Sequence, residues 1–459
     1  MKQVYIFSTH PLFGECVETL LSGDEGVRIV GREKDLAQAI EQIRGLAPDV
    51  IIVDSNDFEA SRALAMSYAL KEGLPPRVVG LNVRDNKFFI CKSEQGTIVE
   101  LKDFIEKIKT NGAASLPSTP DPVDASQIVT DRFGRTLDYL RVSVTDRCNL
   151  RCVYCMPPAG VLPKPRDAIL HSEEIARMVQ AAAGIGFRTI RLTGGEPLVR
   201  KDMLGLVRRL TTIPGIEQIT MTTNATLLGS YAKDLEKAGL TRVNISLDSL
   251  RPERFRRITR QGNLETVWQG IQAAEAAGLA PLKINMVVVR GFNDDEVVDF
   301  ARLTLEHPWH VRFIEVMPVA GVSDWGTDMP DMDKRLIPAA EIRQRIQTFG
   351  TLSVDAGPRG NGPARYYRLP HAQGTLGFIS PISEHFCNSC NRMRLTADGH
   401  LRPCLFSDDG VHCKPALADG ASLSDLQSLI RQASAMKPKR RSRLSGEPVN
   451  EIGMSLIGG

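Results

Sequence analysis

The chain has 459 residues, of which 42% are apolar and 24% charged, and its formal net charge is +3. This length exceeds what one core normally supports, so two domains are expected in a chain of ordinary globular composition. The small net charge gives no reason to expect nucleic acid or membrane partners. Because no apolar run is long enough to span a membrane and the first residues lack a signal-peptide pattern, a cytoplasmic protein is expected.

The first 110 residues alternate β-rich runs with helical patterns. The predicted strands are VYIF, VRIV, DVIIVD, RVVGL and KFFICK. The predicted helices lie around Leu12–Leu21, Leu36–Leu46, Ala60–Lys71 and Leu101–Lys109. This alternation predicts a small doubly wound parallel sheet. The stretch NGAASLPSTPDPVDAS at 111–126 is rich in small residues and Pro, which indicates a linker.

The segments VYIFSTHPLFGECVETLL and PDVIIVDSN resemble a response-regulator receiver domain. The resemblance implies a flavodoxin-like fold, with Asp54 at the phospho-acceptor position and Lys92 near the family's lysine position. Ser8 and Thr9 stand where a magnesium-binding acidic pair should follow the first strand. Phosphoryl transfer to Asp54 is therefore not expected, because a hard divalent cation loses much of its site. A degenerate receiver for docking or regulation is predicted, and a solubility or dimerisation role stays open.

After the linker the alternation restarts with longer units. Strands are predicted near Tyr139–Val144, Thr189–Thr193, Gln218–Thr222, Arg242–Leu247, Leu282–Val289 and Val311–Val316. Six strand–helix units predict an incomplete (β/α)6 TIM-type barrel over residues 127–325, with a carboxy-terminal extension over 326–459. In parallel α/β folds the chemistry gathers at the carboxyl ends of the strands.

Six of the nine cysteines form two tight groups, while Cys16, Cys91 and Cys413 stand apart. In a cytoplasmic protein such groups indicate metal ligands or reactive thiols before disulfides. The first group, Cys148, Cys152 and Cys155, directly follows the first barrel strand. Three thiolates can hold three irons of a [4Fe–4S] cluster and leave the fourth iron open. A zinc site is the alternative, but it would need a fourth ligand from a distant residue.

The sequence CNLRCVYC resembles the CxxxCxxC signature of the radical S-adenosylmethionine superfamily, and Gly194-Gly195-Glu196-Pro197 resembles that superfamily's GGEP motif. The resemblance implies that S-adenosylmethionine chelates the open iron and yields a 5′-deoxyadenosyl radical. It places Gly195, whose lack of a side chain permits close approach, beside the cofactor's methionine. It also implies that Tyr154 lies near the adenine, that Ser246 meets a ribose hydroxyl and that Met317 covers the adenine. Taken singly, each of these three residues fits ordinary packing equally well.

The second group is Cys387-Asn-Ser-Cys390 followed by Cys404. It again supplies three ligands, and Cys413 is interpreted as a free thiol. Arg392 and Arg394 place multiply donating cations beside this group, as phosphate binding requires. The basic run from Lys437 to Arg443 is predicted to be a solvated segment that leads to the terminal glycines.

With these features the resemblance narrows to the GTP 3′,8-cyclase family of molybdenum cofactor biosynthesis, from about Phe133 to the end of the chain. It implies two [4Fe–4S] clusters, with the open iron of the second binding the guanine. GTP contacts would come from Arg141, Arg191, Thr222, Lys283, Arg392, Met393 and Arg394, and the terminal Gly458 and Gly459 would reach the active site. Arg191 and Lys283 fit a surface role poorly, because they interrupt apolar strands of a covered sheet.

The family reaction converts GTP to 3′,8-cyclo-7,8-dihydro-GTP, which cyclic pyranopterin monophosphate synthase then consumes. An electron donor such as flavodoxin or ferredoxin is implied, and a homodimer is left open. Two alternatives remain at this point. One is a radical enzyme with another substrate, such as a peptide maturase, and the other is a regulatory protein whose clusters sense redox state.

Overall fold

The computed structural model describes residues 2–8, 11–21, 26–54, 77–82, 87–90, 94–97, 128–317, 332–358, 362–407, 409–440 and 457. The chain divides into two compact units, Met1–Ser118 and Thr119–Gly459. That division falls inside the stretch 111–126, which itself lies outside the described residues.

The first unit contains one six-stranded sheet and two described helices. In chain order its elements are β1 (Lys2–Phe7), α1 (Pro11–Leu21), β2 (Val27–Glu33), α2 (Leu36–Leu46), β3 (Val50–Asp54), β4 (Arg77–Asn82), β5 (Lys87–Ile90) and β6 (Glu94–Thr97). The strand order is β2-β1-β3-β4-β5-β6. Strands β2, β1, β3 and β4 run parallel to one another. Strand β5 pairs antiparallel with both β4 and β6.

The predicted all-parallel sheet is wrong at its fifth strand, since β5 runs antiparallel to β4. Only four residues separate Asn82 from Lys87, and a parallel connection needs a crossover of about a dozen or more. Asp54 ends β3 as expected, and Ser8 follows β1 and is buried. Thr9, Lys92 and the helices predicted around Ala60–Lys71 and Leu101–Lys109 lie outside the described residues.

The second unit contains a twelve-stranded sheet covered by helices. Its strands are β7 (Tyr139–Ser143), β8 (Thr189–Thr193), β9 (Gln218–Thr223), β10 (Arg242–Ser246), β11 (Lys283–Val288), β12 (His310–Glu315), β13 (Ser353–Asp355), β14 (Arg365–Arg368), β15 (Thr375–Ile379), β16 (Arg392–Leu395), β17 (His400–Arg402) and β18 (Val411–His412). Its helices are α3 (Ser172–Ala183), α4 (Met203–Thr211), α5 (Leu228–Lys237), α6 (Pro252–Thr259), α7 (Leu264–Ala276), α8 (Val297–Glu306), α9 (Met332–Arg335), α10 (Ala339–Gln347), α11 (Lys414–Ala418) and α12 (Leu423–Ala435).

The strands β7 to β12 lie side by side in chain order and run parallel. The carboxy-terminal segment extends both edges, because β15 pairs parallel with β12 and β16 pairs parallel with β7. Short antiparallel strands then end the sheet at β13 and β18. The sheet of described strands is therefore open, and residues after Met317 bring both of its extensions to the six predicted strands.

The apolar core lies between the outer face of this sheet and the helices. In α3 the buried Ile175, Met178, Val179 and Ala182 recur at the spacing of one helix face. On β8, Ile190 and Leu192 join the same core, whereas Arg191 between them points to the opposite face. This alternation leaves the inner face of the sheet polar. None of the described helices is both long enough and apolar enough to cross a bilayer.

Candidate active site

The inner face of the parallel strands lines one cavity of about 260 Å³. Residues of β7 to β12 along its wall are Tyr139, Arg141, Thr189, Arg191, Thr222, Arg242, Asn244, Ser246, Lys283, Asn285, Val287, Arg312 and Ile314. Because residues from six successive strands meet around one space, the sheet must curve into a partial barrel. Ser246 ends its strand, but Lys283 begins its own, so the cavity runs along the barrel rather than only across its carboxyl end.

The strand register places the basic residues at common levels. Arg141 pairs in register with Arg394 on one side and with Arg191 on the other. Lys283 lies level with Asn244 on β10 and with His310 on β12. Neighbouring strands therefore bring these cations together although they are far apart in the chain.

An amide holds two of the guanidinium groups. With its oxygen turned toward them, the side chain of Asn244 accepts hydrogen bonds from Nη1 of Arg191 and from Nη2 of Arg312, the latter at 2.8 Å. The Nε atoms of Arg191 and Arg312 are buried and have no hydrogen-bond partner among the described residues. Buried donors of this kind normally find a partner, so this wall is suited to a polar ligand.

The cavity is strongly cationic. Among the described residues that line it, ten are Arg or Lys and one, Asp248, is acidic. Burial, together with Arg312, Arg242 and Arg191, lowers the pKa of Lys283 to about 6. Burial likewise lowers the pKa of Arg312 and of Arg394 to about 10. A multiply charged anion would relieve this mutual repulsion.

The first cysteine trio lies in the loop after β7, as predicted, and its thiols are partly buried. Burial raises the pKa of Cys148 to about 11 and, with the nearby Cys148 thiolate and Asp248, raises that of Cys155 to about 12. Within the loop, the sulfur of Cys148 accepts a hydrogen bond from the backbone N–H of Leu150 at 3.3 Å. Burial therefore disfavours the thiolate form, whereas a bound metal centre would favour it and draw the three sulfurs together.

Across the described ranges, no three or more His, Cys, Asp or Glu side chains are gathered as ligands of one metal ion. None of Cys148, Cys152 and Cys155 lines the cavity, but Tyr154 from the same loop does. The loop therefore contacts the cavity through its aromatic residue.

The GGEP segment packs against this loop. The backbone N–H of Gly195 donates to the carbonyl of Thr145 at 2.9 Å, and that of Glu196 donates to the carbonyl of Arg147 at 2.8 Å. A Cβ at Gly195 would overlap the Arg147 carbonyl. Gly195 does not line the cavity, so in this structure its missing side chain admits the cysteine loop.

Glu196 joins two further loops, a role that the GGEP resemblance did not assign to it. Its carboxylate accepts from Thr223 Oγ1 and from the backbone N–H of Asn224, both at 2.7 Å. Burial raises the pKa of Glu196 to about 7, although these hydrogen bonds oppose the rise. Asn224 donates in turn to Asn149 Oδ1 at 2.9 Å, so this network braces the first cysteine loop.

Asp248 is a second residue that the sequence did not reveal. Its carboxylate accepts from the Tyr154 hydroxyl and, at 2.8 Å, from the backbone N–H of Val287. Burial raises the pKa of Asp248 to about 6. Both Asp248 and Tyr154 line the cavity. The sequence feature that could have identified Asp248 is its position two residues after Ser246, just beyond the end of β10.

The second cysteine trio lines the cavity. Cys387 and Cys390 precede β16, and Cys404 follows β17. Although burial opposes it, Arg392 and Lys437 lower the pKa of Cys390 to about 7. Lys437 is only 2% exposed and donates to the carbonyls of Arg392 and Pro403 at 2.6 and 2.7 Å. The prediction that the basic run is solvated is therefore wrong at its first residue.

Most of the predicted binding residues share this cavity. They are Arg141, Tyr154, Arg191, Thr222, Ser246, Lys283, Met317, Arg392 and Arg394. Met393 is fully buried in the core, because it alternates with these two arginines on β16. Gly458 and Gly459 lie outside the described residues, but the carbonyl of the buried Ile457 accepts from Arg394 Nη1 at 3.5 Å. Cys413 is a buried free thiol.

Arg242, Asn285 and Arg312 also line the cavity, and sequence analysis missed all three. Asn285 and Arg312 each interrupt apolar strand residues, as Arg191 and Lys283 do, whereas Arg242 begins β10 after Thr241. Period-two alternation therefore predicts the inner face more completely than the family motifs do.

The fold and the cysteine loop correspond to a known class of enzymes. Residues 142–304 match the radical SAM superfamily model, and residues 309–443 match the model named Molybdenum Cofactor Synthesis C. Among solved structures, Streptococcus suis SuiB bound to S-adenosylmethionine is 15% identical with a TM-score of 0.45, and the match covers 65% of this chain and 68% of that one.

Relatives over the second unit are much closer. The GTP 3′,8-cyclase of Pelotomaculum thermopropionicum is 52% identical over 330 residues, which cover 72% of this chain and 99% of that protein. The GTP 3′,8-cyclase of Moorella thermoacetica is 50% identical over 329 residues, with the same coverage. The chain belongs to the GTP 3′,8-cyclase family of radical SAM enzymes. Membership in the superfamily implies a [4Fe–4S] cluster and S-adenosylmethionine.

Proposed function

We propose that this chain converts GTP to (8S)-3′,8-cyclo-7,8-dihydroguanosine 5′-triphosphate, the first step of molybdenum cofactor biosynthesis. The observation that carries the proposal is the shared cavity. Tyr154, Ser246 and Met317 line the same cavity as Cys387, Cys390 and Cys404. The curated relatives named for this reaction align with nearly their whole length.

Two iron–sulfur clusters would serve the reaction. Cys148, Cys152 and Cys155 would hold the first, which binds S-adenosylmethionine at its open iron, and Cys387, Cys390 and Cys404 would hold the second, which binds the guanine. When bound, the first cluster and S-adenosylmethionine supply the radical that removes hydrogen from the ribose 3′ carbon before that carbon bonds to C8 of the purine. The protein's contribution is placement, since a misplacement of about 1 Å can cost about a hundredfold in rate.

The cationic wall would hold the triphosphate. Arg141, Arg191 and Lys283 were predicted for this role, and the buried Arg312 joins them through Asn244. Guanidinium groups bind phosphate oxygens in pairs and remain charged when buried.

Anaerobic turnover with S-adenosylmethionine, dithionite and GTP tests this proposal. Mass analysis should detect 5′-deoxyadenosine together with the cyclised nucleotide. Cys387→Ala should abolish the cyclised nucleotide and lower iron from about eight to about four per chain. The matched control is Cys413→Ala, because this buried thiol packs in the apolar core and should be dispensable for turnover. Equal iron content in both variants would contradict the second cluster.

The product would pass to cyclic pyranopterin monophosphate synthase.

For residues 1–110 we propose a receiver-like docking or regulatory module that is not phosphorylated. Ser8, rather than an acidic residue, follows β1, and Asp54 ends β3. Incubation of the full chain with acetyl phosphate and Mg²⁺ should add no phosphate, by intact mass. Incorporation that Asp54→Asn abolishes would contradict this proposal.

A further inference from the structure

A second concave surface touches the first cysteine loop from outside the reaction cavity. This surface, the outer groove, is lined by residues 146–148, 151, 156 and 159–163. Cys148 lines the outer groove, whereas no member of its trio lines the reaction cavity. A metal centre held by this trio would therefore be approached through Cys148 from the outer groove, without entry into the substrate space.

The rim of the outer groove combines apolar and cationic side chains. Leu162 is 92% exposed, Val161 is also exposed, and the exposed Arg147 lies beside Cys148. The charged groups that line the groove are Asp146, Arg147 and Arg151. Asp146 is buried and accepts from the backbone N–H of Lys164 at 2.6 Å, so the charge offered to a partner is positive. Exposed apolar residues among cations are typical of protein interfaces.

The wall of the outer groove is tied to the cysteine loop. Nη1 of Arg151 donates to the carbonyls of Cys148 and Leu150 at 2.6 and 2.9 Å. Gly160 has a φ of +80°, and a Cβ there would meet the Arg151 guanidinium. Lys164 continues the segment and pairs with Asp398 at 2.5 Å. A surface held in this way needs little reorganisation when a partner binds.

We propose that the outer groove docks an acidic one-electron carrier protein, which reduces the metal centre held by Cys148, Cys152 and Cys155. The inference rests on the proposed function, because reductive cleavage of S-adenosylmethionine consumes one electron per event. The reduced carrier loses that electron and the protein-bound centre gains it, with no atom transferred. A small cationic surface suits the weak, electrostatically guided complexes that electron carriers form.

The test compares two reductants on the holoenzyme. Leu162→Glu and Leu162→Lys remove the same apolar side chain but add opposite charges. Val354→Glu is the matched control, because Val354 is 85% exposed on β13 at the edge of the sheet. Turnover is measured with dithionite and, separately, with reduced flavodoxin, an acidic carrier.

We expect Leu162→Glu to lower flavodoxin-driven turnover by about tenfold and to leave dithionite-driven turnover unchanged. Leu162→Lys should lose much less flavodoxin-driven turnover, and Val354→Glu should have the same turnover as the parent with both reductants. Equal loss with both reductants, or equal effects of Glu and Lys at 162, would overturn the proposal. So would full flavodoxin-driven activity in every variant.

Binding gives a readout that does not need turnover. Oxidised flavodoxin titrated into the holoenzyme should bind more weakly as salt rises and more weakly to Leu162→Glu than to Leu162→Lys. If the parent makes no cyclised nucleotide with dithionite, the proposed function fails and this binding measurement still decides the docking site. Binding that is insensitive to both substitutions at 162 would refute the site.

Discussion

The Tyr154 hydroxyl donates a hydrogen bond of 2.5 Å to Oδ2 of Asp248. It connects the loop of the first cysteine trio to the segment that follows β10. Asn293 strengthens the connection, because its side-chain amide donates to the carbonyl of Asp248 at 2.8 Å and to that of Val287 at 2.9 Å. The cysteine loop and two strand ends are thus joined by buried polar contacts around the cavity.

Tyr154→Phe and Asp248→Ala should each weaken S-adenosylmethionine binding, because each leaves a buried group without its partner at a cost of about 1–3 kcal/mol. The double variant should be little worse than Asp248→Ala alone, since both changes break one contact. The dissociation constant, measured by calorimetry on anaerobic holoenzyme, gives the coupling. Strictly additive losses would show that Asp248 does not act through Tyr154.

Gly195→Ala should disrupt the first cysteine loop, because the added methyl group overlaps the Arg147 carbonyl next to Cys148. About half of the bound iron should be lost, and the unfolding free energy should fall by about 1–3 kcal/mol. The control is Gly205→Ala on α4, where a Cβ meets nothing within 4 Å. This control should keep its iron and gain slightly in melting temperature. Unchanged iron in Gly195→Ala would contradict the packing argument.

GTP binding should be coupled to proton uptake at Lys283. Its pKa of about 6 means that the free side chain is largely neutral at higher pH, and a triphosphate nearby raises that pKa toward its usual value. Up to one proton should therefore be taken up at pH values between about 6 and the raised pKa of the complex, and none at values well below 6. Calorimetry in buffers of different ionisation enthalpy measures this uptake.

Two variants separate Lys283 from the protons of GTP itself. Lys283→Arg should bind GTP without this uptake, because a guanidinium group stays charged. Lys283→Met should bind weakly and likewise take up no proton at this site. Identical proton uptake in the parent and in Lys283→Arg would assign the effect to another group.

Lys437→Met should loosen the second cysteine trio. The ammonium group donates to the carbonyls of Arg392 and Pro403, which neighbour Cys390 and Cys404, and its removal leaves both carbonyls buried without this donor. Iron bound at this trio should fall by about half or more, while iron at the first trio remains. Lys439→Met, at an exposed position two residues later, is the control. Equal iron content in Lys437→Met and Lys439→Met would show that Lys437 does not support the second cysteine trio.

Several parts of the molecule followed from the sequence alone. The six parallel strands and the loop position of Cys148 follow from local spacing. The interruption of apolar strands by Arg191 and Lys283 indicated that these two residues are not ordinary surface cations. Such patterns state which face of a strand a residue occupies, because successive side chains point to opposite sides. They also placed the family motifs correctly, since those motifs follow strands.

Other features depended on which segments the tertiary structure brings together. The Tyr154–Asp248 contact joins residues 94 positions apart, and β16 lies beside β7 although it comes late in the chain. The buried Lys437 belongs to a run that looks solvated by composition, but its ammonium group has two backbone carbonyl acceptors and lies beside Cys390. Long-range contacts of this kind are set by strand order and by the pairing of buried polar groups, which local periodicity does not encode.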